Sequence, residues 1–320
     1  MRLATTLTPM TDENLQLAAQ CGVTDLVARC PGDSLESLRL LQQRAERFGL
    51  KLAVIEGSLP IERIKLGDDD GADVAELQRL VRNMGELGIE ILCYNFMAGT
   101  DWVRTQLDAP ERGGAKVTAF RLADVQAAVS LTDDHGAQAV DQREVLAADL
   151  WRRLEQLLEQ LLPVAERAGV LLAMHPDDPP LPQLLGKARI MYSVEAFERL
   201  VRLAPSRHNG ICFCQGTFAE MGVDIPDAIG RLGPHIHYVH CRDVRGVATD
   251  FVETFHDNGP TDMVAAMRAY RDVGYTGPLR PDHVPQYIGE EDGEPGYTML
   301  GRLFAYGYLR GLIDSTARRG

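Results

Sequence analysis

Residues 168–175 read AGVLLAMH, and the same grammar recurs at 48–56 (FGLKLAVIE), 87–94 (LGIEILCY) and 273–283 (VGYTGPLRPDH). In each, a glycine closes a stretch of helical periodicity and a short apolar run follows at once. Glycine takes the left-handed conformation that caps a helix, so each stretch reads as helix, cap and strand. Outward from these, eight runs read as strands: 2–7, 24–29, 51–56, 90–94, 170–175, 210–214, 236–240 and 278–282. Helical patterns lie between them, among others at 35–48, 74–87, 143–168, 194–203 and 262–273. Such alternation predicts a parallel sheet with crossover helices, and eight strands close a (β/α)8, or TIM, barrel. The rival is an open doubly wound sheet, but no Gly-x-Gly-x-x-Gly follows any predicted strand, so its dinucleotide signature is missing.

Two segments exceed what a minimal barrel needs. Residues 101–142 form a long polar insertion after the fourth strand, and 176–190 a proline-rich loop after the fifth. Long loops in compact domains are usually lids or binding loops, and both belong to the C-terminal mouth where barrel active sites are built. With no internal repeat and no low-complexity linker, residues 1–320 read as one TIM-barrel domain.

Composition narrows the function. The 320 residues are 45% hydrophobic and 25% charged, which is ordinary globular usage. Lys and Arg total 33 against 46 Asp and Glu, a net charge of −13, so a general nucleic-acid binder is not expected. No apolar run is long enough to span a membrane, and the start, MRLATTLTPMTDEN, lacks a secretory core. The six scattered cysteines then read as free thiols or ligands, and the protein as cytoplasmic.

Chemistry concentrates on the last four strands. His175 ends VLLAMH, Cys214 ends ICFC, His240 ends IHYVH and Asp282 ends PLRPD. In a barrel these four converge on one mouth from neighbouring strands. Imidazole, thiolate and carboxylate are the side-chain classes that hold divalent transition metals. One such residue at a strand end is usually packing; four in succession predict a metal site. The thiolate favours Zn(II) or Fe(II), whereas the carboxylate with open positions suits Mn(II). Other candidates read as structural. His237 faces away from His240, Cys212 lines the barrel interior as a small hydrophobe, and His135 and His208 lie solvated in polar loops. His256 sits in FHDNGPTD, either over the mouth or on the surface. In HPDDPP, Asp177 and Asp178 make either a solvated turn or a stiffened one whose carboxylate supports a ligand or a substrate hydroxyl.

These segments together resemble the mannonate dehydratase family. The matching stretches are IERIKLG, CYNFMAGTDWVRT, MHPDDPP, GICFCQGT, IHYVHCRDV, LRPDH and EPGYTMLGRLFAYGYLRGL, spanning residues 61–312. The resemblance implies a xylose-isomerase-like TIM barrel, His175, Cys214, His240 and Asp282 as ligands of Mn(II) or Fe(II), and a homodimer. It implies dehydration of D-mannonate or a related aldonate to a 2-keto-3-deoxy sugar acid. Tyr297 and His283 match family active-site positions and are expected to act beside Asp282 as acid and base, the order left open. The chain departs from the family at 4–8 (ATTLT), where an Arg-Trp pair is usual, and at 281–286 (PDHVPQ), where a proline replaces a histidine.

The expected reaction takes a proton from C2 and expels the C3 hydroxyl. Asn95, Arg104, Asp177 and Arg242 are the expected substrate contacts, Arg242 as a carboxylate clamp because its planar fork pairs two oxygens. Trp102 walls the site or anchors the insertion. The alternatives are a metal-dependent sugar isomerase or epimerase, which loses no water, and a non-catalytic sugar-acid-binding homologue.

Overall fold

The structure, a computed structural model, describes residues 1–130 and 143–317. Eight parallel strands close a barrel: β1 (Arg2–Thr5), β2 (Asp25–Ala28), β3 (Lys51–Glu56), β4 (Ile91–Tyr94), β5 (Leu171–Met174), β6 (Asn209–Cys214), β7 (Ile236–Cys241) and β8 (Pro278–Pro281). β1 bonds to both β2 and β8, which closes the ring. The TIM-barrel expectation therefore holds. Strand ends moved by a residue or so, leaving His175 and Asp282 just past β5 and β8.

The glycine grammar has the cause proposed for it. After the helix Leu35–Glu46, Gly49 adopts φ 73° and Leu50 N–H reaches back to Ala45 O at 3.1 Å. After the helix Ala147–Ala168, Gly169 adopts φ 72° and Val170 N–H bonds Ala165 O at 3.0 Å. That long return bond satisfies a helix-end carbonyl and turns the chain into the next strand. At their starts, the helices Val194–Leu203, Ile225–Leu232 and Met263–Asp272 are capped by Ser193, Asp224 and Asp262, whose side chains accept backbone N–H groups.

One helix start was misplaced. The pattern predicts a helix from 143, but the helix begins at Ala147. Val145 instead bridges Lys187, with Ala188 N–H on Val145 O at 2.8 Å. A long-range ladder bond has won over local periodicity.

The core has two layers. Helices cover the outer face of the sheet through a large apolar cluster that includes Leu77, Leu80, Leu154 and Leu158. Inside the barrel a smaller set fills the axis: Ala4, Val27, Ala53, Val54, Ile91, Cys93, Ala173, Cys212 and Tyr238.

The insertion after β4 is structured through most of its described length. Strands Gln106–Pro110 and Lys116–Arg121 pair, and the latter pairs with Asp250–Glu253 of a hairpin that follows β7. The result is a four-stranded antiparallel sheet over the barrel. Val103, Phe120, Val244 and Phe251 pack under it with Leu181 and Leu184 of the proline-rich loop. Three mouth loops thus share one small core. Among the described residues, no helix is long and apolar enough to cross a membrane.

Candidate active site

Side chains alternate across a strand, so residues two apart share a face. Tyr238 and His240 of β7 therefore point inward, as do Cys212 and Cys214 of β6. Donor atoms of His175, Cys214 and His240 lie within 4.8 Å of one another. Asp282 joins them, its Oδ2 3.5 Å from Cys214 Sγ and its Oδ1 3.5 Å from His240 Nδ1. The four strand-end residues are brought together.

Their surroundings aim them. His175 Nδ1 lies 2.7 Å from Pro176 O; an N–H donated there leaves Nε2 with its lone pair free. Thr217 Oγ1 donates to Cys214 Sγ at 3.1 Å. Arg280 and Arg242 grip Asp282 from opposite sides at 2.9 and 2.8 Å. Burial opposes ionisation of Asp282, but His283, Arg280, His240 and Arg242 overcome it and hold the carboxyl well below its ordinary range. His240 Nε2 is buried without a hydrogen bond, although Glu56 Oε1 stands 3.1 Å away. A thiol, two imidazoles and a carboxylate gathered this closely are a donor set that fits a divalent transition metal.

A buried ionic network backs this set. Arg104 pairs with both oxygens of Asp178, at 2.7 and 3.0 Å, and with Glu253 at 2.7 Å. Arg242 also reaches Glu220 and Asp178, each at 2.8 Å, and Thr217 at 3.0 Å. Both guanidiniums thus spend their donors on protein groups. Gly216 is what lets Arg242 lie there, since a Cβ at that position would sit 2.5 Å from Arg242 Cγ. Burial, reinforced by Asp178 and opposed by Arg242, leaves Glu220 pushed up to about 8.

Above the metal-type ligands, His283 Nδ1 lies 2.7 Å from Glu253 Oε1 and His283 Nε2 3.9 Å from Asp282 Oδ1. Trp102 stacks on His283 at 4.2 Å and meets Tyr297 edge-on at 5.4 Å, so it walls the site. Trp102 holds φ 35°, a strained conformation of the kind found at ligand clamps. Tyr297 has Arg302 over its ring at 4.9 Å. Burial pushes the Tyr297 phenol upward, Arg280 pulls it back, and Asp282 adds to the rise.

The remaining candidates divide. Asn95 bonds Asp101 at 2.7 Å and receives Lys65 Nζ at 2.8 Å. Asp177 is buried rather than solvated; Oδ2 accepts from Met191 N–H at 2.7 Å while Oδ1 has no partner. Asp178 is buried in the network above. Cys212 does line the barrel interior, and His237 turns outward to Leu172 O at 2.9 Å. His208 is not solvated: it is 4% exposed, with Nδ1 2.8 Å from Val170 O. His256 is not on the surface either; it is buried 2.9 Å from Cys241 O, the carbonyl that Asp282 N–H also uses. His135 lies outside the described residues.

Sequence reasoning missed Glu56, Arg280, Glu220, Glu253 and Arg302. Glu56 ends β3, so the strand-end logic that singled out His175, Cys214, His240 and Asp282 could have found it too. Burial opposes its ionisation, yet His240 and Arg280 hold it far below its ordinary range. Glu253 and Arg302 carry no local signal, because their partners are distant in sequence.

Comparison with known proteins gives a consistent set. The family model described as D-mannonate dehydratase (UxuA) matches residues 9–319. A mannonate dehydratase from Oceanobacillus iheyensis is 36% identical over 299 residues, covering 87% of this chain and 85% of its own. The crystal structure of mannonate dehydratase from Streptococcus suis serotype 2 superposes with a TM-score of 0.87 at 31% identity, covering 99% of this chain and 93% of its own. A xylose isomerase domain protein from Planctomyces limnophilus, at 13% identity and a TM-score of 0.64, shares the fold; it covers 99% of this chain and 97% of its own.

Proposed function

The chain belongs to the D-mannonate dehydratase family and is a sugar-acid hydro-lyase; from that premise we propose that it dehydrates D-mannonate to 2-keto-3-deoxy-D-gluconate at the barrel mouth, with His175, Cys214, His240 and Asp282 holding a divalent metal. The observation that carries this reading is the meeting of three ligand atoms within 4.8 Å beside Asp282, under His283 and Tyr297. We read the metal as Mn(II) or Fe(II), with Zn(II) the alternative a thiolate allows. When bound, the ion supplies Lewis-acid stabilisation of the charge that C2 deprotonation puts on the substrate carboxylate, worth several kcal/mol.

The chain's own groups divide the proton work. Glu253 accepts from His283 Nδ1, which fixes the ring and leaves Nε2 to take the C2 proton. Tyr297, pushed upward by burial, keeps its proton at neutral pH and is suited to deliver it to the departing C3 hydroxyl. Trp102 holds the His283 ring by stacking and keeps water from that side. Asp177, with one oxygen already committed to backbone, offers the other to a substrate hydroxyl. Asn95 borders the mouth through the Asp101 and Lys65 contacts. Arg104 and Arg242, saturated by carboxylates, act as framework for Asp282 and Glu253 rather than as a substrate clamp.

The test is mass spectrometry of products after anaerobic incubation of Mn(II)- or Fe(II)-loaded protein with a panel of aldonates. Metal-dependent loss of one water from mannonate supports the reading. Loss from another aldonate alone relocates the substrate, and no loss from any member overturns it.

A further inference from the structure

One layer below the proposed catalytic ligands, the barrel interior holds a second donor set. Cys93 of β4 and Cys212 of β6 belong to the axial cluster, with Ala173 of β5 paired in register with Cys93. Alanine there adds little bulk between the two sulfurs. Donor atoms of Cys93, Cys212 and His240 lie within 4.8 Å of one another, and all three residues are buried. Cys93 Sγ is 3.5 Å from Glu56 Oε1, which in turn stands 3.1 Å from His240 Nε2. That nitrogen is the buried atom without a hydrogen bond noted above. Arg280 already lies on Glu56 at 3.3 Å, so the set is counted on its two sulfurs and its imidazole.

Two thiolates and an imidazole are the donors that soft and borderline divalent ions prefer over harder ones. We propose that Cys93, Cys212 and His240 form a second site, selective for thiophilic divalent cations of the Zn(II) and Cd(II) class. Binding exchanges two S–H protons, released to solvent, for two metal–sulfur bonds; no electron moves. Because His240 serves both sets, an ion in the lower one withdraws an imidazole from the upper. Soft cations then oppose loading by Mn(II). The lower site stands on its own geometry, and only this coupling rests on the catalytic reading.

The experiment titrates Cd(II) into metal-free protein, following the thiolate-to-metal charge-transfer band in the ultraviolet and bound cadmium by equilibrium dialysis. In Cys214→Ala, a band worth two thiolates should remain; it should vanish when Cys93→Ala and Cys212→Val are added. Should that triple variant fail to fold, Cys214→Ala with Cys93→Ala alone should lose at least half the band. A Cys214→Ala protein without a band overturns the site; a band indifferent to Cys93 and Cys212 overturns it too and assigns the cadmium to Cys21, Cys30 or Cys241. Identical titrations of wild type and Cys214→Ala would place the cadmium in the lower site alone and support it, because an ion there withdraws His240 from the upper set. Wild-type protein should also lose Mn(II) to Cd(II) at lower cadmium than the Cys93→Ala/Cys212→Val variant does; equal loss removes the coupling.

Discussion

The two halves of the barrel end differently. β5 to β8 finish in or next to His175, Cys214, His240 and Asp282, each held by a hydrogen-bonded neighbour. β1 to β4 finish in Thr5, Ala28, Glu56 and Tyr94, of which Glu56 alone reaches the proposed ligand set with its side chain. Thr5 instead bonds Tyr306 of the last described helix, Met299–Thr316. Both halves present the same backbone geometry to the mouth. What separates them is how much buried charge each one carries, and buried charge is sustained only where partners are fixed. The second half is therefore the gripping half, and the first contributes uncharged side chains and one buttress.

Asp282→Asn should break this contrast most completely. It removes a ligand and leaves Arg280 and Arg242 short of a counter-charge, so metal content and water loss should both collapse. A stability loss of about 3–5 kcal/mol should accompany them in denaturant unfolding. Retained turnover would mean that the second half does not hold the metal. Tyr297→Phe should separate grip from chemistry: metal content stays, while kcat falls roughly 10²–10⁴-fold. Loss of metal in that variant would reassign Tyr297 to the grip.

Acid should expose the same asymmetry. Burial lowers His237 and His256 to about 4, against the carbonyls of Leu172 and Cys241 that partly restore them. Between that value and the ordinary 6.5 the unfolded chain binds protons that the folded chain does not. Stability is therefore complete above that window and is lost as pH falls through it, by about 2 kcal/mol per histidine at pH 5. His237→Asn should flatten the loss in metal-free protein, measured by denaturant unfolding at pH 7 and pH 5. An unchanged slope would mean that His237 is not held neutral.

The smallest effect belongs to the first half. Glu56→Gln should weaken metal binding about 10–100-fold, the usual cost of losing a group that orients a ligand. Isothermal titration with Mn(II) reads it. Complete loss of binding would move Glu56 into the ligand set and erase the contrast.

Much of the second half was legible in the chain. A glycine cap followed by an apolar run fixes where a strand begins, and barrel geometry then sends each strand's last residue to one mouth. His175 and Asp282 follow from that reasoning alone, and Cys214 and His240 from the apolar runs they end. The environment of each residue does not. Arg104 and Arg242 look like substrate ligands from their residue type, but Asp178 and Glu253 are 74 and 149 residues from Arg104 along the chain. His208 looks solvated among polar neighbours, yet its partner, Val170, is 38 residues away. Periodicity reports which face a residue takes within its own element. It is blind to what another element brings to that face, and so to the antiparallel sheet over the mouth.

That sheet has an evolutionary consequence. Its strands come from two loops more than a hundred residues apart, joined by the pairing of Asp250, Phe251 and Val252 with Arg121, Phe120 and Ala119. A single-residue deletion within either strand would turn the following side chains to the opposite face, sending Phe120 or Phe251 to solvent and moving Glu253 off His283. Neither loop is free to drift in length alone. In descendants of this sequence the two should lengthen and shorten together, inherited as one unit although the gene encodes them far apart.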